Sequence, residues 1–189
     1  MALVSVHYFE KPGPANTETT LQAAQERAAE LGIRQLVLAS NTGKTALAAA
    51  EMIPELERII GVTEAAGWWD VDTPPDPEII AQAQAQGVKF VTGTHGLMGA
   101  VSWAIQESFG GLPPAELIAR TYFTLSRGTK VAVECLLMAA DAGLLWMAED
   151  AIAIAGTGKG ADTAMVVKPA FSNRFFDLRI REFLAMPRG

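Results

Sequence analysis

Residues 35–63, QLVLASNTGKTALAAAEMIPELERIIGVT, decide the fold. Ile33–Ala39 is an apolar run of strand length, and it enters a donor-rich turn, Ser40–Thr45. An Ala-rich helix follows through Met52, and Arg58–Thr63 (RIIGVT) is again a short strand. The spacing is that of a βαβ unit, whose crossover helix makes its two strands parallel.

The same alternation continues in both directions. Leu3–Tyr8 reads as a first strand, and a helix capped at Asn16 or Thr17 runs to Leu31, with Gly32 at its end. Downstream, Glu64–Pro77 reads as a loop, Glu78–Gln86 as a helix and Val88–Val91 as a fourth strand. Leu97–Phe109, Pro114–Leu125 and Lys130–Leu145 have helical spacing. Ala151–Ala155 and Ala164–Val167 are strands separated by a Gly-rich turn, too close for a crossover helix, and Phe175–Leu184 has the look of one more strand. The expected fold is therefore α/β, a three-layer α/β/α open mixed sheet of about five to seven strands, mostly parallel with an antiparallel edge hairpin. The 189 residues form a single domain, 1–189.

Composition narrows the function. Half the residues are apolar and 19% are charged, enough for a sizeable core. With 15 Lys and Arg against 21 Asp and Glu, the net charge of -6 argues against nucleic acid or an anionic membrane as partner. The extra Lys and Arg after residue 168 read as a solvated face. One cysteine, Cys135, leaves no intrachain disulfide. The amino-terminal stretch MALVSVHYFEKPG lacks the form of a signal peptide, and Glu134 and Asp141 interrupt the longest apolar run. A cytoplasmic protein is the reading these features leave.

Ligands of open α/β sheets sit beyond the carboxyl ends of the strands, and three loops there could hold an anion. Ser40, Asn41, Thr42, Gly43, Lys44 and Thr45 follow a strand and open a helix, so backbone N–H groups, hydroxyls, a cation and the helix dipole converge. A plain βα turn would need one capping residue, not this concentration of donors. It is not a P-loop, because that motif's first glycine would fall at Leu38. Gly93, Thr94, His95 and Gly96 follow the fourth strand, where His95 reads either as a proton shuttle or as a structural side chain with no carboxylate spaced to orient it. Gly156, Thr157 and Gly158 begin a third loop. Its spacing to Ala161 matches the dinucleotide fingerprint, but a strand and not a helix follows. That leaves an anion-cradling hairpin or a plain one.

Weaker candidates surround these. Glu10, Lys11, Asn16 and Thr17 lie past the first strand on the same rim. Lys130 and Glu134 read as a helical pair, Cys135 as a buried core thiol. Trp68 and Trp69 read as a lid over a ring, as core, or as a subunit contact. No metal-ligand cluster emerges, and no metal is expected.

On these residues a family resemblance can be stated. QLVLASNTGKTALAAAEMIPELERIIGVT resembles the C-terminal domain of pyruvate kinase, with its strand, its Thr-x-Ser/Thr-Gly-Arg-Ser-Ala turn, its helix and a strand ending in Val-Thr. AIAIAGTGKGADTAMVV resembles that domain's closing hairpin. YFEKPGPANTETTLQAAQERAAELGI and GTKVAVECLLMAADAGL are similar to small stand-alone proteins of this fold. The resemblance implies a five-stranded sheet with one antiparallel strand, and a non-catalytic domain that holds a sugar phosphate in the turn matching Ser40–Thr45. Some stand-alone relatives are associated with flavin mononucleotide, so it implies FMN as cofactor with its phosphate in that turn. Lys44 stands where the enzyme's arginine would be, keeping a charge without the fork. The catalytic barrel is absent, so the chain is not a pyruvate kinase by itself.

The leading expectation is a domain that binds a phosphorylated small molecule. The alternatives are a flavin-dependent oxidoreductase or other small enzyme using His95, and a regulatory or structural subunit docking through Trp68–Pro77. Whether any reaction is catalysed, and whether the chain is a homo-oligomer, stay open at this level.

Overall fold

A computed structural model describes residues 3–188. Its seven strands form one sheet in the order β1-β7-β6-β5-β2-β3-β4. They are β1 (His7–Phe9), β2 (Gln35–Ala39), β3 (Arg58–Thr63), β4 (Lys89–Thr92), β5 (Ala151–Ala155), β6 (Thr163–Lys168) and β7 (Arg179–Pro187). Only β6 runs against its neighbours, β5 and β7; the remaining pairings are parallel.

The described residues hold six α-helices: α1 (Thr17–Leu31), α2 (Lys44–Met52), α3 (Pro77–Ala85), α4 (Val101–Phe109), α5 (Pro114–Phe123) and α6 (Arg127–Asp141). Strand alternation divides the core in two. Leu36, Leu38, Ile152 and Ile154 face α1 and α2, together with Leu21, Ala24 and Ala49. Val37, Ala151, Ala153 and Ala155 face α6, against Val133 and Leu136. The small β5 side chains on that face admit α6 closely; twelve of its residues are buried.

The α/β/α layering and the mixed, mostly parallel sheet agree with the sequence reading. The hairpin of β5 and β6 is not at the sheet's margin, however. β7 pairs with the free side of β6, and β1 pairs with β7, so the edges are β1 and β4. The weakly patterned carboxyl-terminal strand thus covers what would have been an exposed ladder. It starts later than expected because Ser172–Asp177 forms a 3-10 segment. Residues 3–6 lie outside the β1 ladder, whose register with β7 covers only His7 to Phe9.

Two helix starts also differ. Helix α6 begins at Arg127 because Ser126 caps it, Oγ accepting the Thr129 N–H at 2.9 Å. Helix α4 begins at Val101 and not at Leu97, and the N–H groups of Leu97 and Met98 donate to Glu134 instead of opening the helix. No helix among the described residues is long and apolar enough to cross a membrane.

Candidate functional site

β2, β3, β4 and β5 are mutually parallel, so their carboxyl ends share one rim. From β2 the chain goes to β3 and β4 through α2 and α3, then crosses by α6 on the opposite face and returns beside β2 as β5. The direction of strand order reverses between β2 and β5, and that is where an open α/β sheet offers a crevice.

The Ser40–Thr45 turn leaves the β2 side of this point. Ser40 is buried, its Oγ accepting the Ala46 N–H at 3.0 Å and its own N–H donating to Val62 O at 2.8 Å. Its hydroxyl therefore caps α2. Asn41 faces the segment after β3: its Nδ2 donates to Glu64 Oε2 at 3.2 Å and its Oδ1 accepts the Glu64 N–H at 3.1 Å. Gly43 has φ 92°, and a Cβ there would lie 3.0 Å from Ile80 Cδ1, so the first turn of α3 covers it. Thr42 and Thr45 are half-buried and Lys44 is exposed. Among the described residues, the backbone N–H groups of Thr42, Gly43, Lys44 and Thr45 meet no protein acceptor. They are the orphan donors of a helix start, beside a free cation.

Residues 64–76 form a strap over the β3 and β4 ends. Trp68 Nε1 donates to Gly99 O at 2.7 Å, and its ring meets Trp103 edge-on at 5.1 Å. Trp69 Nε1 donates to Glu64 O at 3.1 Å. Burial, with Asp72 nearby, raises the Glu64 carboxyl above its ordinary range.

Beyond β4, Thr92 pairs with Thr63 through their hydroxyls at 2.6 Å, Thr94 and Gly96 are exposed, and Gly93 and His95 are half-buried. The carboxylate missing from His95's sequence neighbourhood comes from α6: Glu134 Oε2 lies 3.7 Å from Nδ1. Glu134 is buried and paired with Lys130, also buried. Burial holds the His95 imidazole below its usual range, with Glu134 opposing. Nothing local signals this contact, since the two residues are 39 positions apart.

The Gly-rich loop is tied to the amino-terminal loop. Buried Asp162 accepts the N–H groups of Gly13 at 3.0 Å and Thr157 at 3.1 Å, and the Thr163 hydroxyl at 2.9 Å. Thr17 Oγ1 accepts the Ala161 N–H at 3.0 Å and donates to Pro14 O at 2.8 Å; Asn16 Nδ2 donates to Lys11 O at 2.8 Å. A Cβ on Gly160 would lie 2.6 Å from Pro14 Cα, and one on Gly156 would lie 2.4 Å from Gly160 O. Both glycines are demanded by close packing. Gly156 and Thr157 are half-buried, while Gly158 and Glu10 are exposed. Cys135 is buried, which raises its thiol pKa and leaves it a core side chain.

An open cavity of about 350 Å³ lies at the other end of the sheet, lined by Ala28, Ile33, Ile53 and Leu56 among others. Its lining also includes Glu26 and Glu55 but no cation, the wrong charge for an anionic ligand. A family model described as pyruvate kinase, alpha/beta domain, matches residues 18–167.

Proposed function

This chain belongs to the pyruvate kinase alpha/beta domain family, and we propose that it binds a phosphorylated small molecule, flavin mononucleotide, through the phosphate. A shared fold assigns no reaction, so the reading rests on the site. The observation that carries it is the set of unengaged N–H groups from Thr42 to Thr45 at the start of α2. A phosphate dianion there accepts several backbone N–H bonds, lies at the positive end of the helix dipole, and meets the exposed Lys44 amine.

The rest of the ligand extends along the rim. Thr94, His95 and Gly96, with Gly93 behind them, offer backbone and ring contacts to a planar group on the β4 side. Thr157 and Gly158, at the hairpin tip past β5, flank the crevice from the other side. Thr17 supports that hairpin from the loop after β1, where Asn16 braces Lys11 and Glu10 lies exposed, and Ser40 and Asn41 fix the turn itself.

Titration of the purified protein with FMN, followed by flavin fluorescence and thermal shift, tests the reading. Saturable quenching with a rise in melting temperature supports it. A colourless preparation with neither effect removes FMN as the ligand.

A further inference from the structure

On α6, among fully buried apolar side chains such as Val133 and Leu136, stand two charged ones: Lys130 is 6% exposed and Glu134 3%. Lys130 Nζ donates to Glu134 Oε2. Withdrawing two charges from water costs more than packing an apolar pair of similar volume, so core packing gives no reason for them. Glu134 is held further. Its Oε1 accepts the N–H groups of Leu97 at 2.8 Å and Met98 at 3.0 Å, which draws the loop after β4 onto the helix.

That loop carries His95, with Nδ1 3.7 Å from Glu134 Oε2. The opposite ring atom, Nε2, accepts the Ala65 N–H at 3.3 Å. An acceptor role at Nε2 puts the ring proton on Nδ1, toward Glu134. At this separation the carboxylate acts on the ring through charge, without a direct hydrogen bond. The ring's reactive nitrogen is met only by one long bond from the strap.

We propose that His95 is a proton acceptor for a bound small molecule bearing a dissociable N–H, O–H or carbonyl-activated C–H. Glu134 is its positioning residue, and Lys130 balances the Glu134 charge. The ligand replaces the Ala65 N–H at Nε2. The ligand's X–H bond breaks, its electron pair stays on X, and the proton goes to Nε2. The imidazolium keeps its Nδ1 proton, facing Glu134. The charged groups facing the ring are Glu134 and Lys130 from α6, with Glu64 next to Ala65 on the strap. Burial lowers the imidazole pKa, with Glu134 opposing, and so favours the neutral form that a base requires. The site goes beyond the phosphate reading and depends on nothing at Ser40–Thr45.

Diethyl pyrocarbonate, which modifies neutral imidazole nitrogen, tests this with peptide mapping. The chain has two histidines, and exposed His7 serves as the control. His95 should be modified in the folded protein, at a rate rising with pH through a midpoint below the ordinary imidazole range. Glu134→Gln should lower that midpoint, because the charge that favours the imidazolium is gone, and so bring the onset of modification to lower pH. If this variant fails to fold, the double variant Lys130→Met with Glu134→Gln removes both charges and is measured instead. His95 left unmodified while His7 is consumed overturns the proposal, because a purely structural ring stays capped. So does a pH–rate profile that the Glu134 change leaves unmoved.

Discussion

Asn41 and Glu64 hold each other in both directions, side-chain amide to carboxylate at 3.2 Å and backbone N–H to side-chain carbonyl at 3.1 Å. This reciprocal pair joins the turn after β2 to the strap after β3. Asn41→Ala removes both bonds, together with that from Asn41 Nδ2 to Thr73 O at 2.5 Å, at a partly exposed site, a loss of about 1–2 kcal/mol. The strap should loosen while the sheet holds. Hydrogen exchange should quicken across residues 64–76 and stay unchanged in β5 and β6.

Lys44 is exposed and stands at the first residue of α2. Lys44→Glu should leave the melting temperature of the free protein nearly unchanged. It should weaken FMN by at least about tenfold, since a charge-assisted bond becomes a repulsion. Calorimetric titration of both proteins measures the difference. Equal affinity would place the phosphate elsewhere.

Asp162 is fully buried and satisfies three donors, among them the N–H of Gly13, which is 149 positions away in the chain. Asp162→Ala strands those donors and should cost about 3–5 kcal/mol, read as a lower urea midpoint. The loss should also free the amino-terminal loop, quickening hydrogen exchange at the Gly13 amide.

Glu182 accepts two bonds from Arg27, at 2.8 Å each, and this holds its carboxyl below the ordinary range. A depressed carboxyl stabilises the fold above its unfolded pKa, and the contribution disappears as pH falls through the folded value. The pair is partly exposed, so its worth is about 0.5 kcal/mol. Glu182→Gln should therefore lower the melting temperature slightly at pH 7, and the difference should vanish in acid.

Residues whose signal is local were legible in the sequence. The apolar runs of β2 and β5, the Gly-rich hairpin and the capped turn at Ser40 each stand within a few positions of one another. What the sequence hid was long-range. Phe175–Leu184 is strand-like in sequence, but nothing in it shows that β7 lies between β6 and β1. Glu134 reads as half of a helical ion pair, and only the fold brings it to His95 and to the N–H groups of Leu97 and Met98. The glycines past β5 suggest an anion cradle by composition, yet Gly156 and Gly160 answer to steric contact with the neighbouring loop.

The account rests on the N–H groups at the start of α2, and these can be watched one at a time. In ¹H–¹⁵N spectra of the labelled protein titrated with FMN, the amide signals of Thr42, Gly43, Lys44 and Thr45 should move together and saturate at a single affinity. If FMN leaves those four signals in place, or shifts only residues lining the cavity between α1 and α2, the phosphate does not bind at this turn and the account is wrong.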